Sequence, residues 1–367
     1  MNDFNKSYWD SSDNSILTSQ SSEGIDKSLQ SAISDLGIKG SIMIPTSGTI
    51  SSPRLSIISK RAMLRSAKSV NDHLNICAKD KWLCCLPTTH VSGLSIHARA
   101  ALSGSSIIEF RSKWSPEDFV NTLNQDQITL CSLVPSQLHD LIKLNLRPNT
   151  QMRALIIGGD KLREDTRTKA LELGWPALAT YGMTETCSQI ATEVRPGDGM
   201  KTLQIWNIRI SEVNELEVKG DALFDGYIEN ADGNWEFNAP FTDDGWFLTG
   251  DTGVFNNDKI SITGRKDEQI KILGEKIDIE RLRSLVTNLH DHSATLIATP
   301  DLRKGNRIVM VAESSSDAQR AFERFNDSVN SIERAEELLI IDKLPRTSLG
   351  KIRIGKLYEI LENRSEA

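Results

Sequence analysis

The sequence predicts an α/β protein: a large N-terminal domain over residues 1–266, with mixed and parallel sheets covered by helices, then a small α+β C-terminal domain over residues 267–367. Two patterns predict this. Between residues 40 and 180, short apolar runs alternate with stretches of helical period, as parallel strands do when helices cover their faces. After residue 266, about a hundred residues carry strand-like and helical stretches of their own, enough for a separate small domain. Length supports the division, because 367 residues with 38% hydrophobic and 25% charged side chains can bury a sizeable core and exceed one typical domain.

In chain order, residues 1–40 form a polar leader. The part from 7 to 31 is rich in Ser, Asn, Asp and Gln, too polar to build a core alone, and is expected to be irregular or partly packed. Residues 41–44 (SIMI) read as a strand, 60–75 as a helix, 82–86 as a strand, 91–102 as a helix and 106–110 as a strand. A helix starts at Ser115, an N-cap type followed by Pro116 at the first helical position. Strands follow at 128–134 and 154–157, helices at 136–144 and 162–173, and an apolar run at 177–179 that turns into residues 181–186. In the small domain, helices are expected at 279–289 and 317–329, and strands at 294–298 and 308–312. Ligands of such sheets bind beyond the carboxyl ends of the strands, which selects the loops at 87–93, 135–136, 158–160 and 181–186.

Composition narrows the function classes. The net charge of −7 and the lack of a long basic block argue against nucleic acid as the main partner. No 18-residue apolar run and no apolar signal-peptide core at the N-terminus appear, so no membrane insertion is expected and a cytoplasmic location is the default. The five cysteines, Cys77, Cys84, Cys85, Cys131 and Cys187, show no CxxC spacing and read as reduced.

The hexapeptide YGMTET at 181–186 holds the parts that a nucleotide site needs. Tyr181 can stack on a base, Gly182 lets the backbone approach closely beside Met183, and Thr184 with Glu185 offers hard oxygens to phosphate-bound Mg²⁺. An ordinary strand-to-loop turn is the alternative. The loop at 45–54 places Thr46, Ser47, Gly48 and Thr49 where N–H and hydroxyl groups can turn onto phosphate oxygens, with Arg54 supplying charge. Its alternative is a Ser-rich turn. Asp251, after a Thr-Gly turn, can take both ribose hydroxyls. His90 and Gly93 lie in a strand-end loop, and Arg99 follows on the helix after it, read either as a solvated helix charge or as a cation in a substrate pocket. Lys351 stands on a Gly-containing loop, either a basic surface turn or the charge that a phosphoryl transition state needs.

These stretches occur in the order found in the adenylate-forming superfamily of acyl-CoA synthetases, luciferases and peptide-synthetase adenylation domains, which the chain resembles over roughly residues 40 to 355. The resemblance adds the GDALFDGY turn at 220–227, the GRKD hinge at 264–267 and the lysine near the C-terminus. It implies that the small domain is mobile, that the N-terminal region is shortened, and that the reaction needs ATP, Mg²⁺ and coenzyme A. The implied catalytic residues are Lys351, Thr184, Glu185 and Arg265, with Thr184 and Glu185 the metal ligands. The implied nucleotide site comprises Thr46, Ser47, Gly48, Thr49, Arg54, Gly158, Gly159, Asp160, Tyr181, Gly182, Met183, Thr184, Asp251, Arg265 and Lys351. The implied acyl pocket comprises His90, Gly93, Arg99, Val134 and Gly159, and Asp267, Lys271 and Gly274 mark the hinge and the coenzyme A path. The phosphate loop departs from the family pattern: Ile50 and Ser51 replace a Thr-Gly pair, and Arg54 replaces lysine.

The implied activity is attack of a small-molecule carboxylate on ATP, giving an acyl-adenylate, then transfer to coenzyme A; a homodimer is compatible with it. Residues 86–99 resemble the o-succinylbenzoate–CoA ligase subfamily, which gives that acid as the expected substrate. Two other readings are a stand-alone domain that loads an acyl or amino acid onto a carrier protein, and a degenerate AMP-binding regulatory module.

Overall fold

The computed structural model describes residues 4–17, 27–45, 54–231, 234–266, 269–273, 275–289, 293–314, 317–347 and 350–365. The chain divides into two compact units. One holds Met1–Arg209, Glu217–Phe247 and Phe255–Ser261; the other holds Ile210–Leu216, Leu248–Val254 and Ile262–Ala367. The lines between them cut through strands, so both units take part of their structure from the same continuous segments.

The first unit is built on five parallel strands whose order is Ser106–Glu109, Lys81–Cys84, Leu130–Leu133, Ala154–Ile157 and Ala177–Met183. Helices cover these strands, so Leu130–Leu133 and Ala154–Ile157 are buried along their whole length and lack polar alternation. Trp175, Phe119, Leu83, Leu133 and Leu155 fill the core beside them, with the Phe119 and Trp175 rings stacked at 6.1 Å. Most of the expected elements are present. The helix expected at 60–75 is Lys60–Leu74, the one at 91–102 is Val91–Ser103, and Ser115 Oγ accepts the Asp118 N–H at 3.2 Å to cap Pro116–Asp126.

Of the two readings of the leader the packed one holds, and one other expectation needs correction. The leader is not merely irregular: strand Ser15–Ile16 pairs in parallel with Ile42–Met43, and helix Lys27–Asp35 buries Leu29 and Ile33 against Met43, Leu55, Ile57 and Ile228. Averaged composition concealed this, because Leu29 and Ile33, four residues apart on one helix face, are enough to dock an otherwise polar segment. The leader thereby joins a second sheet, ordered Ser15–Ile16, Ser41–Pro45, Arg54–Ser59, Gly226–Ala231 and Asn234–Asn238. The correction concerns the hexapeptide, whose first three residues are not a turn. Tyr181, Gly182 and Met183 continue the strand and pair with Ser188–Thr192 antiparallel, with a bulge between Tyr181 and Gly182. Only Thr184–Thr186 turns, as one 3₁₀ element.

The second unit contains a three-stranded sheet of Ala294–Asp301, Gly305–Glu313 and Ala335–Ile341. Period-two alternation sends Leu296, Ile308 and Met310 to a core shared with helices Ile279–Leu289 and Ala318–Ser328. Ile297, Val309 and Val311 point to the other face, where they meet Leu357 of helix Ile354–Ser365. Among the described residues, no helix is long and apolar enough to cross a membrane.

Strand pairing makes Gly182 obligatory, since a Cβ there would overlap the carbonyl oxygen of Ser188. Gly182→Ala is therefore expected to destabilise the protein by about 1–3 kcal/mol, the usual range for overpacking. Thermal melting followed by circular dichroism checks this; an unchanged melt would mean that the strand pair has room for a methyl group.

Candidate active site

The parallel sheet gathers several of the predicted residues at neighbouring strand ends. Val134 follows Leu130–Leu133, and its N–H donates to Gln137 Oε1 at 3.1 Å, which fixes the start of helix Pro135–Lys143. Gly158 and Gly159 follow Ala154–Ile157. A Cβ on Gly159 would stand 3.4 Å from Val134 Cγ1, and one on Gly158 would stand 3.0 Å from Thr180 Cγ2, so Val134, Gly158, Gly159 and the approach to Tyr181 share one locality. Gly159 has a φ of 82°, a conformation that favours glycine. Asp160, next in line, is exposed, and its Oδ1 accepts the Lys161 N–H.

Glu185 is held from a distant part of the sequence. The Tyr227 hydroxyl donates to Glu185 Oε1 at 2.7 Å, and the Phe224 N–H donates to the Glu185 carbonyl at 2.8 Å. Burial first, then the charge of Glu185, pushes the Tyr227 phenol upward, so it stays a neutral donor. The Arg54 guanidinium lies 4.1 Å over the Tyr227 ring and 3.7 Å from Glu229. Arg54, Tyr227 and Glu185 thus form a chain of contacts in which Thr184 begins the adjoining 3₁₀ turn. Sequence reading noted the 220–227 turn but missed Tyr227 as a site residue. Tyr227 is 42 positions from Glu185, and only the fold joins them.

Helix Val91–Ser103 carries the other set. Gly93 is required because a Cβ would run into the carbonyl oxygens of Leu86 and Pro87, so the helix lies directly on the loop after Lys81–Cys84. His90 is the N-cap residue, half-buried, and burial lowers the pKa of its imidazole, favouring the neutral form. Arg99 is only 1% exposed, so the solvated-charge reading fails. Its Nη2 donates to Ser188 Oγ at 3.1 Å, and its guanidinium lies 5.7 Å from the Trp82 ring. Its Nε has no hydrogen-bond partner, and no carboxylate among the described residues lies within ion-pair distance. Burial pulls its pKa down to about 9. Trp82 Nε1 and Asn71 Oδ1 are also buried without partners, and Asn71 donates to the Arg99 carbonyl at 2.9 Å, so the surroundings of Arg99 are under-satisfied. Ser188 lies two residues after the hexapeptide and begins the partner strand of its hairpin, which places Arg99 against the strand pair that carries Gly182.

The second unit holds Asp251, Arg265 and Lys351. Asp251 is 6% exposed, and its Oδ1 lies 3.3 Å from Arg265 Nη1. Gly250, at a φ of 74°, leaves the space that Arg265 occupies, since a Cβ there would sit 3.0 Å from Arg265 Nη2. Lys351 is exposed on a tight turn closed by Thr347 N–H donating to the Lys351 carbonyl at 2.8 Å and Lys351 N–H donating to Thr347 Oγ1 at 3.2 Å. Thr46, Ser47, Gly48, Thr49, Asp267 and Gly274 lie outside the described residues, and Lys271 is described only as part of strand Gln269–Ile272.

The chain is 28% identical over 345 residues to a 2-succinylbenzoate–CoA ligase of Enterococcus faecalis, covering 87% of this chain and 69% of that protein. Its structure resembles that of o-succinylbenzoate CoA synthetase from Bacillus subtilis in complex with its acyl-adenylate intermediate, with a TM-score of 0.75 and 25% identity, over 86% of this chain and 68% of the other. A second structure of that Bacillus enzyme, in complex with ATP and magnesium ion, superposes with a TM-score of 0.72 at 25% identity, over 86% and 69% of the two chains. The profile of AMP-binding enzymes matches residues 39–224, just over half of the sequence and the span that holds the hexapeptide and the strand ends. With that match over the segment that builds the strand-end site, the chain belongs to the AMP-binding enzyme family.

Proposed function

We propose that this chain is an ATP-dependent carboxylate–CoA ligase whose acid is o-succinylbenzoate. The observation that carries the choice of acid is Arg99, a buried cation without a carboxylate partner among the described residues. o-Succinylbenzoate has two carboxylates and only the succinyl one is activated, so its aromatic carboxylate stays charged in a pocket that must also accept a ring. A buried charge of this kind needs an opposite charge, directly or through a water. The same cation disfavours an α-amino acid, whose ammonium it would repel, and so argues against an amino-acid loading domain.

In this reading, a succinyl carboxylate oxygen attacks the α-phosphorus of MgATP, the bond to pyrophosphate breaks, and an acyl-adenylate forms. The protein contributes positioning and charge neutralisation. Tyr181 stacks on adenine, Asp251 takes the ribose hydroxyls, and Thr46, Ser47, Gly48, Thr49 and Arg54 hold phosphates. Gly158, Gly159, Asp160, Gly182 and Met183 line the nucleotide, while Thr184 and Glu185 receive the Mg²⁺ that arrives with ATP. The fit of Glu185 to that task rests on Tyr227, which orients one carboxylate oxygen. His90, Gly93, Val134 and Gly159 shape the acyl pocket. Arg265 and Lys351 offset charge as the transition state forms. The coenzyme A thiol then attacks the acyl carbonyl and AMP leaves, after the small C-terminal domain, residues 267–367, turns about Asp267 and opens a path by Lys271 and Gly274. A cytoplasmic setting and a homodimer belong to the same proposal.

Two variants test it. Arg99→Ala should weaken the dicarboxylate by roughly 2–5 kcal/mol in kcat/KM, as for loss of one partner of a buried charge pair, while a neutral aromatic monoacid loses little. Equal losses for both acids would show that Arg99 is structural. Lys351→Ala should abolish adenylate formation yet largely spare thioester formation from supplied acyl-adenylate, because Lys351 acts in one domain orientation. Single-turnover assays of each half-reaction read this directly, and equal loss of both would contradict the division.

A further inference from the structure

Cys84, His97 and Glu109 bring a sulfur, a nitrogen and an oxygen to one point of the first unit, with all three ligand atoms within 4.8 Å of one another. The sheet produces this meeting: Cys84 and Glu109 are register partners at the ends of adjacent parallel strands, and His97 reaches them from helix Val91–Ser103. The same imidazole nitrogen faces both, with Nε2 at 3.1 Å from Glu109 Oε1 and 4.0 Å from Cys84 Sγ. Tetrahedral zinc with ordinary bond lengths needs N···O and S···N edges of about 3.3 and 3.6 Å, so these two edges need shifts of only a few tenths of an ångström. A cavity of about 390 Å³ adjoins the cluster, lined by His97, Glu109, Phe4, Asn5, Lys6 and Ser105 among others, and it can supply a water as fourth ligand. None of the nucleotide or acyl residues named above lines that cavity.

We propose that Cys84, His97 and Glu109 form a binding site for a divalent cation of the zinc class, separate from the Mg²⁺ that accompanies ATP. A thiolate, an imidazole and a carboxylate form a donor set that suits zinc rather than magnesium. The thiolate and carboxylate charges together balance the ion, and the thiol proton leaves to solvent as the sulfur–metal bond forms. His97 and Arg99 are two positions apart on their helix and do not share a face. The metal therefore clamps one side of the helix to two strand ends while the other side presents the buried guanidinium. The site is a positional clamp for that helix, and it does not depend on which acid is the substrate.

The test uses the full chain, stripped of metal by chelator dialysis and titrated with Zn²⁺ or Co²⁺ alone. One Zn²⁺ per chain is expected in competition with a chromophoric chelator, together with a near-ultraviolet thiolate-to-Co²⁺ charge-transfer band and a raised melting temperature. Cys84→Ser should remove the band, and Cys85→Ser should leave it. Glu109→Gln, at a partly exposed position where folding is not at stake, should weaken Zn²⁺ by more than about 100-fold, the upper end of what losing a mere supporting partner costs. Absence of stoichiometric Zn²⁺ binding, a band that survives Cys84→Ser, or unchanged affinity in Glu109→Gln would overturn the site.

Discussion

A guanidinium buried away from carboxylates is the constraint on which the rest of the site depends. Taking such a cation out of water costs several kcal/mol, and one hydroxyl with one distant aromatic ring returns only part of it. Arg99 has that partial set in Ser188 and Trp82. The protein tolerates the deficit because the helix is fixed elsewhere: Gly93 lets it lie on the carbonyls of Leu86 and Pro87, and Asn71 ties down the Arg99 carbonyl. In the function proposed above, an anionic group of the substrate supplies what is missing.

The acidic side of the site follows a different rule. Glu185 is met by a neutral donor, the Tyr227 phenol, whose ionisation burial opposes. Arg54 over the ring of that tyrosine extends the chain of contacts to strand Arg54–Ser59. In the second unit, Asp251 and Arg265 pair across a glycine that leaves them room. Glu185 is thus oriented by a neutral hydroxyl, whereas Asp251 is oriented by a guanidinium that also offsets its charge.

Much of this was legible in the sequence, for physical reasons that differ by element. The parallel strands announce themselves because burial on both faces demands continuous apolar runs, as in Leu130–Leu133 and Ala154–Ile157. The helix starting at Pro116 is marked by its own cap. What remained hidden depends on contacts between distant residues: strand pairing that makes Tyr181 and Gly182 extended, the Tyr227 hydroxyl on Glu185, and the docking of Leu29 and Ile33. Arg99 shows the boundary well. Its place on a helix could be read from periodicity, but whether that face meets solvent or protein depends on Asn71, Trp82 and Ser188, which come from three other segments.

The claim that matters most is that the unaltered protein joins a dicarboxylate to coenzyme A through an adenylate. Purified protein supplied with ATP, Mg²⁺ and a panel of acids should release pyrophosphate with o-succinylbenzoate, and addition of coenzyme A should yield AMP and the corresponding thioester by mass spectrometry. No pyrophosphate release with any carboxylate, or a higher kcat/KM for a neutral aromatic monoacid than for o-succinylbenzoate, would contradict the account.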